Sequence, residues 1–328
     1  MRRWHLPLDA QGVTTTMEPR KDLLDIDSLS LEEIEFVLKT AGPFKELFTK
    51  SIKKVPPLRG KTVLTLFYEP STRTRSSFEI AAKRVSADVT NFTVSTSSVV
   101  KGESILDTID TLQAMKCDYI VVRHGAAGVP NMIAKHTNSS VINAGDGFHS
   151  HPTQALLDAF TMREALGNDL SGKKLLIVGD ILHSRVARSV CRLSEKLGMQ
   201  VGVLGPGSLI PRDRPDFIRS FRSYDDAMAW KPDIIYLLRV QLERQNDQFF
   251  PSLNEYHNVY GLTDERQRQV RDEGTWIMHP GPVNRGVELG DAVMNYERTL
   301  INQQVENGIA VRMAVLYWLN PQTETNHG

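Results

Sequence analysis

Hydroxyl and guanidinium side chains are concentrated in one short segment of the sequence, EPSTRTRSSFE. Ser71, Thr72 and Thr74 supply hydroxyl donors, while Arg73 and Arg75 supply positive charge. The preceding run KTVLTLF predicts a strand, and the following SSFEIAAKRV has the apolar spacing of a helix. Backbone N–H groups and the dipole at such a helix start favour phosphate or carboxylate. The segment therefore predicts an anion site; the alternative is an ordinary capped helix with solvated arginines.

Only one of the two arginines is expected to face the anion. Side chains two positions apart diverge in direction once the chain becomes helical. We assign the ligand-facing role to Arg73, whose guanidinium can hold an anion through two N–H groups at once.

Two familiar phosphate motifs are imitated in the sequence but not completed. RGKT ends like a P-loop, yet Val55 stands where the motif needs its first glycine, and Lys61 opens a strand rather than a helix. LLIVGDILHSRVARS resembles a dinucleotide-binding turn, yet Asp180 follows Gly179 where the glycine fingerprint should continue. Neither ATP nor NAD is indicated, and no cofactor is predicted.

Composition excludes several broad classes of function. The 328 residues contain 39 Lys plus Arg and 39 Asp plus Glu, so no global field would hold nucleic acid or an anionic membrane. Only Cys117 and Cys191 could form a disulfide, and both lie in apolar-periodic segments, which favours a reducing, cytoplasmic compartment. Pro7 and Asp9 interrupt the basic N-terminus before any signal-like apolar core, and no stretch is apolar enough to span a membrane.

Strand-like runs alternate with helical patterns along most of the chain: TVLTLF, VTNFTV, DYIVVR, SVINAG, KLLIVGD, QVGVLG, DIIYLL and TWIMH. This alternation predicts an α/β protein with two domains, each a parallel sheet flanked by helices, joined by long helices. The helix in HPTQALLDAFTMREAL connects the two sets of strands, and the apolar last helix AVRMAVLYWLN is expected to pack back on the first domain. We place the first domain at residues 1–151 plus 304–328, with 1–19 as an extension, and the second at 152–303.

Further polar side chains follow the predicted strands. Arg123 lies at the end of DYIVVR, where parallel sheets bind ligands, although a surface ion pair is the alternative. His151 precedes Pro152 at a helix start, with Gln154 one turn further on. His149, His151 and an aspartate suggest zinc only weakly, because a well-spaced third ligand is missing, and no metal is predicted.

A second group of charged residues extends the strand in DIIYLLRVQLER. If the extended geometry continues, Arg239, Gln241 and Glu243 share one face, because side chains alternate along a strand. The alternative is a solvated strand end. Downstream, HPGPVNRG confines the chain with two prolines, and an X-Pro bond in this segment is a candidate for the cis form.

Four segments together, STRTR, HPTQALLD, RVQLER and HPGPVNRG, occur in an order that resembles the aspartate/ornithine transcarbamoylase family over nearly all of residues 20–320. The resemblance implies that the first domain binds carbamoyl phosphate and the second binds aspartate. The residues it implies for carbamoyl phosphate are Ser71, Thr72, Arg73, Thr74, Arg123, His151, Gln154, Gly281 and Pro282. The resemblance also implies that the cis bond is Gly281–Pro282. This sequence has Gly281 where the bulky-residue members of the family have leucine, but the implied contact is a backbone carbonyl.

The resemblance also implies the acceptor and the reaction. Arg239 and Gln241 would bind the side-chain carboxylate of L-aspartate, Glu243 would orient Arg239, and Arg185 would bind the α-carboxylate. His279 is followed by proline, whereas the ornithine-specific members have cysteine there. The implied reaction is carbamoyl transfer to L-aspartate, an early step of de novo pyrimidine biosynthesis; the alternatives are ornithine or another amino acid as acceptor, or a non-catalytic anion-binding scaffold.

The Ser/Thr-rich segment STSSVVKGES reads in isolation as a solvated loop. By resemblance, Ser97 and Lys101 reach the site of a neighbouring subunit and contact carbamoyl phosphate. Lys101 would also contact aspartate and Glu103 would support both, so the active unit would be a homotrimer with shared sites. Lys101 joins Arg73, Thr74, Arg123 and His151 in the implied catalytic set. The resemblance leaves open a higher assembly with regulatory chains or with a dihydroorotase.

Overall fold

The computed structural model describes residues 17–93, 105–240 and 252–319. The chain divides into two compact units, the first comprising Met1–Phe160 with Glu306–Gly328 and the second comprising Thr161–Val305. This division falls nine residues after the predicted first boundary and two after the predicted second boundary. The α/β class is confirmed, because every strand pairing in both sheets is parallel.

The first unit is built on a four-stranded sheet with the order β2-β1-β3-β4. Its strands are β1 (Thr62–Phe67), β2 (Asp88–Thr93), β3 (Tyr119–His124) and β4 (Ser140–Asp146). β1 and β3 are neighbours whose last paired residues are Phe67 and Arg123. β1 and β3 are buried over most of their length, and their sequences are mainly apolar, as is typical of central parallel strands.

Helices cover this sheet. In the first unit they begin with α1 (Leu31–Glu46), α2 (Thr72–Arg84), α3 (Ile105–Ala114) and α4 (Val129–His136). α1 starts after Ser30, whose hydroxyl accepts from the Glu33 N–H while the Glu33 carboxylate accepts from the Ser30 N–H. Ile109 and Leu112 of α3 are fully buried against the strands, as their spacing predicted.

Two long helices, α5 (Pro152–Leu166) and α10 (Ile301–Trp318), contain the points where the chain passes from one unit to the other. α10 includes INQQVENG, which the sequence analysis had placed before it. The last turns of α10 pack on the first unit, as predicted: the Tyr119 hydroxyl donates to the Leu316 carbonyl at 3.1 Å, and the Ser140 hydroxyl donates to the Leu319 carbonyl at 3.2 Å. These bonds satisfy carbonyls that a helix end leaves without partners.

The second unit has a five-stranded sheet with the order β7-β6-β5-β8-β9. Its strands are β5 (Lys174–Val178), β6 (Gln200–Leu204), β7 (Ile218–Ser220), β8 (Ile234–Leu237) and β9 (Trp276–Met278). Its other helices are α6 (Arg185–Lys196), α7 (Tyr224–Ala229), α8 (Leu253–Tyr260) and α9 (Asp264–Glu273). β7 was not predicted from the sequence, because this three-residue edge strand is only partly buried and carries little apolar signal.

An aspartate aligns the strand starts in each unit. Asp118, just before β3, accepts from the Thr62 N–H of β1 at 2.8 Å, and Asp233, just before β8, accepts from the Lys174 N–H of β5 at 2.8 Å. Charged acceptors strengthen such bonds. These contacts join the amino ends of neighbouring strands. The carboxyl ends of the same strands lie along the opposite edge of each sheet.

Among the described residues, no helix combines the length and the apolar character needed to cross a bilayer.

Candidate active site

The turn between β1 and α2 has the form that the sequence predicted. Ser71 precedes α2 in an extended conformation (φ −161°) and makes no side-chain capping bond to the helix. The first turn contains no acidic residue. Thr72 and Arg73 are exposed and Thr74 is half-buried. The first backbone N–H groups of a helix lack intrahelical acceptors, so this turn presents donors and positive charge together.

The two arginines of the segment have different surroundings. The Arg75 guanidinium lies 5.2 Å from the ring centre of Phe67, so it packs back over the end of β1. Arg73 is exposed at the turn. These positions favour Arg73 as the ligand-facing residue.

Arg123 is the penultimate residue of β3 and pairs with Phe67, the last residue of β1. Its Nη1 donates to the Ala144 carbonyl of β4 at 3.1 Å, and its Nε lies 3.5 Å from a carboxylate oxygen of Glu69. Both side chains of this ion pair are mostly buried. Arg123 and the turn after β1 therefore lie at the same edge of one sheet, with the guanidinium held by strands on either side.

Glu69 was not predicted as a site residue, although it is the first residue of the quoted segment. Its pairing with Arg123 depends on strand adjacency, which a linear sequence does not display. His124 supports the same segment: its ring packs edge-on to Tyr68 at 4.8 Å, its Nδ1 accepts from the Ala126 N–H, and burial lowers its pKa. A neutral His124 adds no charge beside Arg123.

Asp146, fully buried at the end of β4, organises the loop that leads to His151. Its carboxylate accepts from the N–H groups of Gly128 and Ser150 and contacts Nδ1 of His149 at 3.1 Å. These bonds account for the apparent His/Asp metal pattern. In the described ranges no group of three or more His, Cys, Asp or Glu side chains is arranged to hold a metal ion.

His151 and Gln154 stand at the start of α5. The helix begins at Pro152, as predicted, and the His151 carbonyl accepts from the Gln154 N–H at 3.0 Å. Both side chains are at least nine-tenths buried. Nε2 of Gln154 donates to Asp158 at 3.1 Å, a contact that the sequence analysis did not foresee. β1, β3 and β4 are neighbours in the sheet, so their carboxyl ends lie along one edge. The STRTR turn after β1, Arg123 near the end of β3 and His151 after β4 therefore follow that edge.

In the second unit, Arg185 is the first residue of α6 and is 4% exposed. The Ser184 hydroxyl caps this helix by accepting from the Ala187 N–H. Before it, Asp180 accepts from the backbone N–H of His183 and contacts the ring of the same residue. Gly179, at φ +132°, allows this turn, since an added Cβ would lie 3.1 Å from the Leu238 side chain. Arg185 is thus placed by a tightly closed loop after β5.

Strand β8 ends at Leu237, two residues before Arg239. The expected alternation of Arg239 with Gln241 and Glu243 along a strand is therefore not seen at Arg239. The reason lies in the backbone: the Val240 N–H donates to Glu288 at 2.7 Å instead of to a neighbouring strand. Gln241 and Glu243 lie outside the described residues, as do Ser97, Lys101 and Glu103.

Glu288 connects the Arg239 segment to the HPGPVNRG loop. Its buried carboxylate accepts from the N–H of Val240, from the backbone N–H of Asn284 at 2.7 Å and from the Asn284 amide at 2.8 Å. In the same loop the Gly281 N–H donates to Nδ1 of His279, and the Gly281–Pro282 bond is cis, as suggested by the sequence. Gly281 has φ +62°, a conformation that favours glycine. The sequence offered no signal for Glu288, because its partners are 4 and 48 residues away.

Family models match both parts of the chain. One, described as the carbamoyl-P binding domain of aspartate/ornithine carbamoyltransferase, matches residues 21–164, and the other, described as its Asp/Orn binding domain, matches residues 171–319.

Individual relatives agree with the family models. An aspartate carbamoyltransferase catalytic subunit of Akkermansia muciniphila is 67% identical over 306 residues, covering 93% of this chain and 99% of the relative. The aspartate transcarbamoylase of Trypanosoma cruzi in complex with carbamoyl phosphate superposes with a TM-score of 0.82 at 28% identity, over 91% of this chain and 96% of that one. The M. jannaschii aspartate transcarbamoylase catalytic subunit gives 0.80 at 35% identity, over 93% and 100%. The chain belongs to the aspartate/ornithine carbamoyltransferase family.

Proposed function

We propose that this chain transfers the carbamoyl group of carbamoyl phosphate to the amine of L-aspartate, giving N-carbamoyl-L-aspartate and phosphate, an early step of de novo pyrimidine biosynthesis. The observation that carries the proposal is the placement of Arg123 beside the N-terminus of α2 on one sheet edge. Similarity to relatives named for this activity supports the choice of substrates.

The first unit is the proposed carbamoyl-phosphate-binding part. The turn at Ser71, Thr72, Arg73 and Thr74 would hold the phosphate through backbone N–H groups, hydroxyls and one guanidinium. Arg123 would contact both the phosphate and the carbamoyl oxygen. His151 and Gln154 would contact the carbamoyl group, together with the backbone at Gly281–Pro282.

The second unit is the proposed aspartate-binding part. Arg185 would bind the α-carboxylate, while Arg239 and Gln241 would bind the side-chain carboxylate, with Glu243 orienting Arg239. The anchoring of Val240 by Glu288 supports this role, because it fixes the backbone next to Arg239. An acceptor amino acid with a carboxylate side chain needs such directed cations more than one with an uncharged side chain would.

The proposed reaction needs no covalent enzyme intermediate. The neutral amine attacks the carbamoyl carbon, a C–N bond forms, the C–O bond to phosphate breaks, and the departing phosphate takes the amine proton. Thr74, Arg123 and His151 would stabilise the developing oxyanion, and each such donor is typically worth about 3 kcal/mol. Holding the two reactants in contact supplies much of the remaining acceleration.

A homotrimer with shared sites is the proposed active assembly, with Ser97 and Lys101 of one subunit completing the site of another and Glu103 supporting them. Cytoplasmic location is proposed as well, in keeping with the two free, buried thiols at Cys117 and Cys191. Burial raises the pKa of both thiols, which keeps them unreactive.

The direct test of the function is product analysis with the purified chain. Carbamoyl phosphate and L-aspartate should give N-carbamoyl-L-aspartate and phosphate in equal amounts, whereas L-ornithine should give no citrulline above the uncatalysed background. Citrulline formation would support the ornithine alternative, and no amino-acid-dependent phosphate release would support the scaffold alternative. Mass spectrometry of the product with a coupled phosphate assay distinguishes these results.

Replacing Arg73 with alanine should reduce kcat/KM for carbamoyl phosphate about 100-fold or more, because a charged donor to the transferred group is lost. Aspartate-dependent phosphate release gives the rate. The exposed Arg59, outside the turn, provides the matched control, and Arg59→Ala should stay within twofold of the unmodified chain. An unchanged rate in Arg73→Ala would overturn the catalytic role of the turn.

The shared site can be tested by mixing inactive variants. Lys101→Ala and Arg123→Ala chains should each be nearly inactive alone. Mixed trimers should recover part of the activity, because some sites then receive an intact Lys101 from one chain and an intact Arg123 from another. Native mass spectrometry confirms that mixed trimers have formed; if they show no recovery, each site is built from one chain.

A further inference from the structure

A buried arginine joins three helices of the first unit. Arg312 lies on α10 and is 4% exposed. Its Nη1 donates to the hydroxyl of Ser77 on α2 at 2.8 Å, and its guanidinium lies 5.0 Å from the ring centre of Phe78. Gly308 leaves room for the group, since an added Cβ there would lie 2.5 Å from Nη1. Arg312 therefore contacts the helix whose first turn is the proposed phosphate site.

The charge of Arg312 is balanced by Asp158 on α5. Burial lowers the pKa of Arg312 to about 10, and the charge of Asp158 acts in the opposite direction. Arg312 is therefore protonated at neutral pH. Asp158 is fully buried, and a buried carboxylate is costly unless a cation and hydrogen bonds compensate it. The charges of Arg312 and Asp158 therefore compensate each other in the buried interior.

Asp158 also fixes the orientation of a side-chain amide. Nε2 of Gln154 donates to Oδ1 of Asp158 at 3.1 Å. An ionised carboxylate only accepts hydrogen bonds, so the amide nitrogen must face Asp158. The Gln154 carbonyl oxygen is consequently directed away from Asp158. Gln154 is 9% exposed and follows His151 by three residues at the helix start.

The carbamoyl group has an NH2 end that only donates and a carbonyl end that only accepts. We propose that Asp158, through its hydrogen bond with Nε2 of Gln154, is a positioning residue that keeps the carbonyl oxygen of Gln154 directed at the carbamoyl NH2. This inference rests on the proposed function. In the reversed orientation the NH2 group of the Gln154 amide would face the carbamoyl NH2. One hydrogen bond would then be lost and a buried donor would be left unsatisfied.

The central variant is Asp158→Asn, whose amide can donate as well as accept and so permits the Gln154 amide to reverse. It should reduce kcat/KM for carbamoyl phosphate about 10- to 100-fold, the effect of an unsatisfied buried polar group. The affinity for inorganic phosphate, which has no NH2 group, should change less than about threefold by the same reasoning. The exposed Asp272 provides the matched control: Asp272→Asn should change neither quantity.

A double-mutant cycle separates positioning from a structural role. Gln154→Ala, Asp158→Asn and the double variant are compared, and Asp158→Asn should cost less than about twofold once Gln154 is absent, because coupled residues are non-additive. Equal costs in both backgrounds would overturn the proposal. If Asp158→Asn lowers the Tm, the cycle is repeated with Arg312→Met, which removes the unbalanced charge, and the same non-additivity is expected.

Binding gives a readout that does not depend on turnover. Phosphonoacetamide, a stable compound with both an NH2 group and a phosphonate, should bind Asp158→Asn about tenfold more weakly while phosphate binding is kept. Equal losses for both compounds would indicate a general disturbance of the fold and reject the proposal. If the unmodified chain shows no carbamoyl transfer but the selective loss is seen, the proposed function fails and the orienting role of Asp158 stands.

Discussion

Binding a small dianion with several guanidinium groups requires positive charges to be held close together although they repel one another. The chain has equal numbers of basic and acidic residues, so the attraction must come from local arrangement. In the first unit, the parallel sheet brings the helix start after β1 and Arg123, near the end of β3, to the same edge. The backbone N–H groups of α2 add positive potential without adding a further side chain that must be restrained.

Buried carboxylates make this arrangement stable. Glu69 pairs with Arg123, Asp158 balances Arg312, and Glu288 binds the backbone beside Arg239. Each carboxylate lies next to a ligand-binding candidate rather than being one. Their common effect is to fix direction, because an ionised carboxylate accepts several N–H groups and leaves its donors few alternative orientations. Selectivity between carbamoyl phosphate and phosphate would depend on this supporting layer.

The sequence predicted the parts of the structure that depend on local order. The alternation of strands and helices, the turn at Ser71 and the helix start at Pro152 have local signals, and the structure confirms them. The wrong expectations arose where partners distant in sequence decide the outcome. β8 ends before Arg239 because Glu288, 48 residues further on, takes the next N–H group. The roles of Glu69, Asp158 and Arg312 were missed for the same reason, since adjacency between helices and strands is not written in the spacing of either segment.

The central proposal is that arginines from separate segments act on the same pair of small anions. Calorimetric titration with N-phosphonoacetyl-L-aspartate, which joins a phosphonate to an aspartate in one molecule, tests this claim most directly. One molecule should bind per chain, and Arg73→Ala and Arg185→Ala should each weaken binding about 100-fold or more, as expected when a charged partner is removed. An affinity that is unchanged in either variant would contradict the account.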